Sequence, residues 1–347
     1  MTDQTNNRKL EHLRIIAEDN EIQRDATGFD DLRLTHRALP NLNLDDVDTR
    51  VELFGKTLSF PLLISSMTGG DSAQITRINR NLATAAETCG VAMAVGSQRV
   101  MFRNRAARKS FDLRQFAPSI PLLSNLGAVQ LNTGFGIAEC QAAVDILQAN
   151  GLYLHLNPLQ EAIQPEGDHN FRNLHQQIAA IAQSLSVPVL LKEVGSGLSS
   201  HDIVSGLAAG VRHFDVAGRG GTSWSRIEYH RRVNKDDNLG LQFQDWGLTT
   251  VQSLRQVNRC LDGNSSGVVI ISSGGMRSGI DMAKAMVLGA HLCGLAAPLL
   301  AAAQVSTDAV IKKIESLHRT FKTALFLLGC SNCSELRGNT ALLLNGD

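Results

Sequence analysis

The residues best suited to chemistry lie in one short stretch, "LHLNPLQE", at positions 154–161. His155 and Asn157 are two residues apart, so a β-strand here points both side chains to the same face. Gln160 and Glu161 follow across a turn that the intervening proline forces. One carboxylate with one amide is a poor metal cage, but it suits Mg²⁺ when phosphate oxygens complete the shell. The stretch therefore predicts a site for a phosphorylated ligand, with a magnesium ion on Glu161.

Cations recur at the ends of other apolar runs. Lys192 closes the run "VPVLLK", where a lysine either pairs with an acid on a neighbouring strand or serves as an electrophilic partner for a ligand. Arg99 ends "GSQR", and Arg8 and Lys9 are adjacent near the N-terminus. A charged run is usually only solvated, and His155 also suits a hydrogen-bonded core position. Taken together, the cations predict a clamp on a substrate phosphate group.

A glycine-rich stretch, "SSGGMRSG" at 272–279, follows the apolar run "GVVII" and precedes a helical pattern. A tight turn alone explains Gly274 and Gly275, but bare backbone also lets an anion approach closely. Thr222 in "GRGGTS" and the small residues of "GLAAPLL" end two further apolar runs. Phosphate sites in α/β barrels lie after the last two strands, so these positions predict a phosphate cradle.

Eight apolar runs supply the elements that position these residues. They are 61–66, 91–96, 121–127, 152–157, 187–195, 213–218, 267–275 and 291–296. The runs are continuous rather than alternating, as strands buried on both faces are, and helical patterns separate most of them. Eight β/α units in a row favour a TIM (β/α)8 barrel, with chemistry at the carboxyl ends of the strands. The alternative is an open doubly wound sheet, whose G-x-G-x-x-G turn is replaced here by "MTGGDS".

The chain is predicted to form one domain. Residues 1–55 are polar and irregular and are interpreted as an N-terminal extension packed on the barrel and contributing to the substrate site. Residues 56–302 form the barrel, and 303–347 form a closing helix and tail. The charged stretch 219–245 is interpreted as a long loop.

Composition narrows the function classes. The 347 residues have a formal net charge of zero, which gives no reason to expect nucleic acid or a membrane surface as partner. Apolar runs fall short of the ~18 residues of a membrane helix, and the N-terminus lacks a signal-peptide core, so a cytoplasmic protein is expected. Cys330 and Cys333 form the pair "CSNC", which favours packing at a helix end over a metal or redox site.

Longer strings in the sequence resemble one known family. "RKLEH", "MTGG", "GSQR", "LHLNPLQE", "QPEGD", "KEVGSG", "GRGGTSW" and "SGGMR" occur in order, as they do in type 2 isopentenyl diphosphate isomerase. The resemblance implies an FMN-binding barrel that interconverts isopentenyl and dimethylallyl diphosphate, with Mg²⁺ and with NADPH as reductant. It also implies a homo-oligomer, a tetramer or octamer.

The resemblance assigns roles by motif, and Lys192, His155 and Gln160 are the implied catalytic residues. FMN would contact Ser66, Met67, Thr68, Ser97, Asn125, Lys192, Thr222, Gly274, Gly275, Met276, Arg277, Ala296 and Ala297. Substrate would contact Arg8, Lys9, Ser97, Gln98, Arg99, His155, Asn157 and Gln160, and Glu161 would hold Mg²⁺. Gln160 is neutral and a poor proton source, so reduced FMN is the expected acid–base group.

Two alternatives remain at this stage. An FMN oxidoreductase of the 2-hydroxy acid type needs a histidine base and arginines late in the barrel. Arg277 lies late in the barrel, but no histidine stands at the expected place after "DVAG". His291 lies at the start of its apolar run, the end opposite to the expected site. A non-catalytic flavin-binding or scaffold protein has no use for the polar strand ends.

Overall fold

A computed structural model describes residues 4–24, 26–234, 236–261 and 267–344, and only the backbone of 4–10. Eight parallel strands close into a barrel, and a two-stranded antiparallel hairpin stands apart from it. The hairpin is β1 (Val51–Leu53) and β2 (Lys56–Leu58); the barrel is β3 (Leu62–Ile64), β4 (Ala92–Ala94), β5 (Leu122–Gly127), β6 (Gly151–Leu156), β7 (Val189–Glu193), β8 (His213–Asp215), β9 (Val269–Ser273) and β10 (Leu292–Leu295). Their order around the barrel follows the chain, with β10 closing on β3. The predicted TIM barrel is confirmed, and each of the eight apolar runs corresponds to one barrel strand, with β6 beginning one residue before its run.

The barrel strands are apolar throughout because both of their faces are covered. Every residue of β5 and of β7 is buried. One set of side chains fills the barrel interior and includes Leu63, Leu123 and Tyr153. The opposite set packs under the surrounding helices. A strand buried on both faces has no polar side to alternate with, which produces the continuous runs of the sequence.

Fourteen α-helices lie within the described ranges. They are α1 (Gln4–Glu18), α2 (Ala73–Cys89), α3 (Val100–Arg103), α4 (Ile137–Leu147), α5 (Pro158–Ile163), α6 (Leu174–Ser184), α7 (Ser200–Ala208), α8 (Trp224–Arg231), α9 (Leu239–Gln242), α10 (Thr250–Leu261), α11 (Gly279–Val287), α12 (Ala297–Val305), α13 (Thr307–Leu328) and α14 (Cys333–Leu336). The predicted closing helix is α13, which packs on α2 and α11. None of the described helices has the length and apolar character needed to cross a membrane.

The N-terminal extension is more regular than the sequence indicates. It contains the 15-residue helix α1, and the hairpin follows it. Leu53 and Leu58 of the hairpin join the cluster inside the barrel. The Phe54 ring lies 5.1 Å from the ring of His213, the first residue of β8. The hairpin therefore plugs the amino-terminal end of the barrel, opposite the end where the strands finish.

The stretch 219–245 is not simply a loop, because it contains α8 and α9. Ser223 precedes α8, and its hydroxyl accepts a hydrogen bond from the Arg226 amide at 3.4 Å. Ile227 of α8 packs with Ile15 and Ile22 of the N-terminal extension. Helix α8 contains few apolar residues among several charged ones, so the sequence shows no clear helical pattern of apolar residues there.

The two nearby cysteines are buried at the junction of α13 and α14. The Cys333 thiol lies 3.3 Å from the Thr49 carbonyl oxygen, and burial raises its pKa to about 12. A protonated, buried thiol neither binds metal nor reacts readily. Within the described ranges, no cluster of three or more His, Cys, Asp or Glu side chains is placed to hold a metal ion. Packing, the preferred interpretation, fits this environment.

Candidate active site

A cavity opens at the carboxyl ends of the barrel strands. Residues from the strand ends, α1, α8 and α12 line it. The residues singled out from the sequence that line it are Ser66, Met67, Thr68, Ser97, Arg99, Asn125, His155, Asn157, Gln160, Glu161, Lys192, Thr222, Gly274, Gly275, Met276, Arg277, Ala296 and Ala297. Arg8 and Lys9 belong to α1, but their side chains lie outside the described part of the structure. The fold thus gathers residues from distant parts of the chain around one space.

Gln98 does not line this cavity. Its side chain is fully buried behind the barrel. Its amide nitrogen donates to the Ala143 carbonyl at 2.9 Å, and its amide oxygen accepts from the Asn125 backbone at 2.9 Å. The position argues against the expected contact with substrate. The side chain of a strand-end residue can point toward the cavity or away from it, so the motif "GSQR" alone does not show whether Gln98 contacts substrate. In the structure, Gln98 accepts a hydrogen bond from the Asn125 backbone instead.

Four buried polar atoms on the cavity wall lack a hydrogen-bond partner among the described residues. They are Ser65 Oγ, Thr68 Oγ1, Gln130 Oε1 and Asn157 Oδ1. A buried polar atom without a partner costs on the order of 1–3 kcal/mol, so such atoms are rare unless something binds them. Their concentration here indicates a polar ligand that completes their hydrogen bonds.

His155 is held in one orientation by Asn125. The Asn125 amide nitrogen donates to the Val95 carbonyl at 3.1 Å and to Ser66 Oγ at 2.8 Å. The Asn125 amide oxygen therefore faces His155 Nδ1, 2.7 Å away, and that nitrogen carries the proton. The tautomer of His155 is thus set by a neighbouring strand end.

Lys192 makes the buried ion pair that the sequence left open. Its Nζ lies 3.2 Å from Asp215 Oδ2 on the neighbouring strand and donates to Ser273 Oγ at 3.2 Å. Asp215 is fully buried and also accepts from Tyr153 at 3.0 Å and from Ser273 at 2.5 Å. Lys192 also lines the cavity, so the pair holds a fixed positive charge against its floor.

Glu161 offers oxygen to the cavity from a buried position. Its carboxylate accepts from Asn157 Nδ2 at 2.9 Å, from Gln164 Nε2 at 3.2 Å and from the Asp168 amide at 2.7 Å. The unpartnered Asn157 Oδ1 belongs to the same group. A carboxylate beside an amide oxygen is the donor set that Mg²⁺ takes, with phosphate or water oxygens completing its shell. These residues fit a magnesium ion in part, and the magnesium site on Glu161 stays a prediction.

Arg99 lies on the same side of the cavity as Glu161, because it pairs at 3.0 Å with Asp168, whose amide donates to Glu161. The guanidinium is largely buried, with 15% of its side chain exposed. Because a guanidinium has five N–H donors, one carboxylate does not exhaust its capacity to bind an anion. Arg99 is therefore placed to bind an anionic ligand that enters this side of the cavity.

The glycines of the 272–279 stretch are required by a neighbouring loop. Gly274 and Gly275 have φ angles of +107° and +81°. A Cβ on either would lie 2.1 Å from a carbonyl oxygen, of Gly218 and Gly220 respectively. The loops after β8 and β9 thus touch backbone to backbone, and only glycine allows both the angle and the contact.

The helix end that remains open to an anion is that of α12, not that of α11. The Asp281 carboxylate of α11 accepts from the Arg277 and Ser278 amides at 2.9 and 3.0 Å. At α12, Ala296 offers no side-chain cap, and the helix begins in the cavity wall. Pro298 has no N–H and the Leu299 amide donates to the Ala296 carbonyl at 2.9 Å, so α12 offers a phosphate the Ala297 amide and the positive end of its dipole.

Several residues of the site escape the sequence analysis, among them Ser65 and Gln130 on the cavity wall and three residues of α1 and α8. His12 of α1 and Trp224 of α8 line the cavity, and their rings meet edge to face at 5.2 Å. Glu228 of α8 is fully buried and accepts from Gln160 Nε2 at 2.8 Å. Trp224 and Glu228 are four residues apart, which is the only signal that both belong to one helix face.

The cavity fits a planar, phosphorylated cofactor such as FMN. The unpartnered hydroxyls and amides suit polar ring edges, Lys192 supplies a fixed positive charge, and the start of α12 suits a phosphate. The donor set around Arg99 and Glu161 suits a second phosphorylated molecule.

Comparisons with known proteins agree with this description. The FMN-dependent dehydrogenase family profile matches residues 3–118 and 138–342. An isopentenyl-diphosphate delta-isomerase of Paracoccus zeaxanthinifaciens is 61% identical over 336 residues, 97% of this chain and 96% of the relative. The isopentenyl-diphosphate delta-isomerase of Hydrogenovibrio crunogenus is 54% identical over 338 residues, 97% of each protein.

Solved structures share the fold at much lower identity. A flavocytochrome b2 variant with pyruvate bound has a TM-score of 0.71 at 17% identity, covering 97% of this chain and 83% of that one. A mandelate oxidase variant has a TM-score of 0.64 at 18% identity, covering 94% of both. The chain belongs to the FMN-dependent dehydrogenase family and, within it, to the family of the isopentenyl-diphosphate delta-isomerases.

Proposed function

We propose that this chain is an FMN-dependent isomerase that interconverts isopentenyl and dimethylallyl diphosphate with Mg²⁺ present. The observation that carries the proposal is that one cavity gathers two sets of groups suited to anions. Lys192 and the start of α12 form one set, and Arg99, His155 and Glu161 form the other. Two phosphorylated molecules, a cofactor and a diphosphate substrate, can then face each other. The high identity to relatives with this activity in their names supports the same conclusion.

The chain's own residues hold the diphosphate and the magnesium ion. Arg99 binds phosphate oxygens through its guanidinium, and His155, whose Nδ1 proton is fixed on Asn125, presents its other edge to the cavity. Glu161 and Asn157 Oδ1 would hold a magnesium ion, which would neutralise charge on the diphosphate. Fixing the diphosphate also fixes the alkene that it carries, so the reacting carbons stay in one place.

The isomerisation adds one proton to the terminal carbon and removes another from C2, with no net oxidation. Glu228 is no acid for this step, because His12 and Arg231 lower its pKa to about 2 despite its burial. Gln160 is neutral, and its amide is oriented by Glu228. Reduced FMN, when bound, supplies the proton-transferring nitrogen and a negative ring for the cationic transition state. A reductant such as NADPH is then needed to prepare the enzyme and is not consumed in each turnover.

An FMN oxidoreductase acting on 2-hydroxy acids is the second candidate, and the name of the matching family profile favours it. Such an enzyme needs a histidine base over the reacting carbon. Of the late histidines, His213 and His291 lie at the amino-terminal end of the barrel, where His213 contacts Phe54 and His291 Nδ1 accepts from the Ile270 amide. His230 of α8 lies 2.7 Å from Asp19 Oδ2 and does not line the cavity. Their position counts against this candidate.

Hydrogen exchange with solvent separates the two candidates. The holoenzyme, reduced anaerobically, is incubated in D₂O with Mg²⁺ and isopentenyl diphosphate and followed by NMR. The proposal predicts dimethylallyl diphosphate carrying deuterium in its new methyl group. An enzyme that leaves isopentenyl diphosphate unlabelled, but whose oxidised flavin is bleached by lactate or mandelate, would be the oxidoreductase instead. An enzyme with bound flavin and neither reaction would be a non-catalytic flavoprotein.

A further inference from the structure

Arg231, at the end of α8, ties three carboxylates from three parts of the chain. Its Nη1 contacts Glu228 Oε2 at 2.5 Å, its Nη2 contacts Glu166 Oε1 at 2.6 Å, and its Nε contacts Glu11 Oε2 at 3.2 Å. Glu228 belongs to α8, Glu166 follows α5, and Glu11 belongs to α1. Only 12% of the Arg231 side chain is exposed. A planar guanidinium with donors on three nitrogens is the side chain that can serve three acids at once.

The innermost of these acids reaches the reaction space through one further contact. Glu228 is fully buried and is not on the cavity wall. It accepts from Gln160 Nε2 at 2.8 Å, which leaves the Gln160 amide oxygen 3.3 Å from Asn157 Nδ2. The orientation of the Gln160 amide therefore follows the position and the charge of Glu228.

Glu11, the carboxylate farthest from Gln160 in this network, connects Arg231 to α1, which lines the cavity. Glu11 lies on α1, beside His12 and Leu13, which line the cavity. The contact between Arg231 and Glu11 holds α1 against α8. The following segment has its own tie, because Asp19 pairs with Arg226 and His230 at 2.6 and 2.7 Å. Loss of Arg231 should loosen α1 without releasing the rest of the extension.

Among the described residues, Arg231 is the permanent counter-charge of Glu228. His12 Nε2 lies 3.5 Å from Glu228 Oε1, and a histidine is charged only when protonated. Other ionisable groups described around this corner are the acids Glu11, Glu166 and Glu161, and two arginines that have their own acids, Arg232 with Asp237 and Arg99 with Asp168. Glu161 is engaged with Asn157, Gln164 and the Asp168 amide. A buried carboxylate without a counter-charge is costly and takes up a proton.

We propose that Arg231 is a positioning residue that couples the closing of α1 over the cavity to the orientation of Gln160. It touches neither the cavity nor the reacting atoms and acts through Glu228 on one side and Glu11 on the other. The kinetic part rests on the proposed function, whereas the coupling of α1 to α8 does not. Without Arg231, Glu228 becomes protonated at higher pH, the Gln160 amide is free to turn, and α1 detaches.

The test compares Arg231→Met, Arg231→Lys and Glu11→Gln in the holoenzyme, with Arg14→Met as a matched control on α1. Arg14 pairs with Glu18, at 3.6 Å, on an exposed face. Amide hydrogen exchange of residues 11–18 reports the docking of α1. The pH dependence of kcat and the separate values of kcat and KM report the state of Glu228 and Gln160. Thermal unfolding reports any general loss of stability.

Arg231→Met should reduce the protection of residues 11–18 against amide hydrogen exchange at least tenfold. It should also lower kcat at least tenfold and move the acidic limb of the pH dependence of kcat to higher pH. Glu11→Gln should lose the protection and raise KM while its kcat profile stays in place. Arg231→Lys should recover the position of the profile, because it keeps the charge, but not the protection. Arg14→Met should behave like the parent protein.

An Arg231→Met enzyme with a lower unfolding temperature but unchanged exchange in α1 and an unmoved kcat profile would overturn the proposal, because Arg231 would then be merely structural. The proposal also fails if Arg231→Lys and Arg231→Met shift the profile equally. If the parent protein shows no isomerisation, the proposed function fails. The exchange in α1 would then still decide whether Arg231 docks that helix.

Discussion

At the scale of single residues, the site depends on buried charges that are each paired with an opposite charge nearby. Asp215 compensates Lys192, and Arg231 and His12 compensate Glu228. The sequence identifies Lys192 as important from its place at a strand end. It does not reveal the partner, because the pairing depends on the register of β7 against β8. Hydrogen-bond partners are tertiary facts, whereas positions at strand ends can be predicted from the pattern alone.

The pair of Lys192 and Asp215 gives a prediction about stability. Lys192→Met leaves the fully buried Asp215 uncompensated, so the free energy of unfolding of the FMN-free protein should fall by about 3–5 kcal/mol. Lys192→Met combined with Asp215→Asn removes both charges and should recover a large part of that loss. Urea unfolding of the two single variants and the double variant measures the coupling between them. Strictly additive effects would mean that the two charges do not interact.

Glu161 gives a prediction about the metal ion. Glu161→Gln keeps an oxygen for its three donors but loses the charge, so the Mg²⁺ concentration for half-maximal activity should rise at least tenfold. Calorimetric titration of Mg²⁺ into the enzyme with its diphosphate ligand gives an independent value. Glu18→Gln, an exposed change of the same kind outside the cavity, is the control. Full activity of Glu161→Ala without Mg²⁺ would remove the metal from this residue.

At the scale of elements, the strands were predictable and the elements that cover the site were not. Strands buried on both faces give continuous apolar runs that can be read directly from the sequence. The helices α1 and α8 bury only a few side chains each, among them Ile15 and Ile227, within charged sequence. The hairpin of β1 and β2 is stable only because Leu53 and Leu58 enter the barrel. Such short elements are fixed by tertiary contacts, which local sequence patterns do not show.

The starts of α11 and α12 both lie near the cavity, and substitutions at the two helix starts should change the affinity for FMN by different amounts. Ala296→Asp places a carboxylate at the start of α12, which should stabilise the FMN-free protein by about 0.5 kcal/mol and weaken FMN binding at least tenfold. Asp281→Asn acts at α11, whose amides are already engaged, and should change FMN affinity less than threefold. Fluorescence titration with FMN measures both. If Asp281→Asn weakens FMN more than Ala296→Asp does, the phosphate lies at α11.

At the scale of the whole molecule, the barrel has a stabilising end and a reactive end. The hairpin and two histidines, His213 and His291, occupy the amino-terminal end. The polar strand ends, α1, α8 and α12 surround the cavity at the other. This division explains why residues at strand ends could be assigned to the site from the sequence, whereas His12 of α1 and Trp224 and Glu228 of α8 could not.

The closed end gives a prediction about pH. Burial, with the nearby charges of Arg337 and His213, lowers the pKa of His291 to about 4, and burial also lowers that of His213. In the unfolded chain a histidine takes up its proton near pH 6.5, so the unfolded state gains protons first as the pH falls. The free energy of unfolding should therefore be highest above pH 7 and should fall between pH 6.5 and 4. The contribution of His291 to this loss is about 3 kcal/mol at most.

Urea unfolding at pH 7.5 and pH 5 measures this loss, and His291→Gln is the matched variant. The variant keeps a hydrogen-bond acceptor for the Ile270 amide but has no proton to take up. Its stability should depend less on pH than that of the parent protein. An equal dependence in both proteins would place the sensitive groups elsewhere.

The central claim is that the cavity performs an isomerisation with reduced FMN that is not consumed. The most direct measurement is an anaerobic assay with FMN, Mg²⁺, isopentenyl diphosphate and an amount of NADPH or dithionite equal to the enzyme. Dimethylallyl diphosphate and the absorbance of the flavin are followed together. Because reduced FMN is regenerated in each cycle, we expect many product molecules for each molecule of reductant, with the flavin staying reduced throughout. Product limited to one molecule per reductant, or flavin reoxidised without dimethylallyl diphosphate, would contradict it.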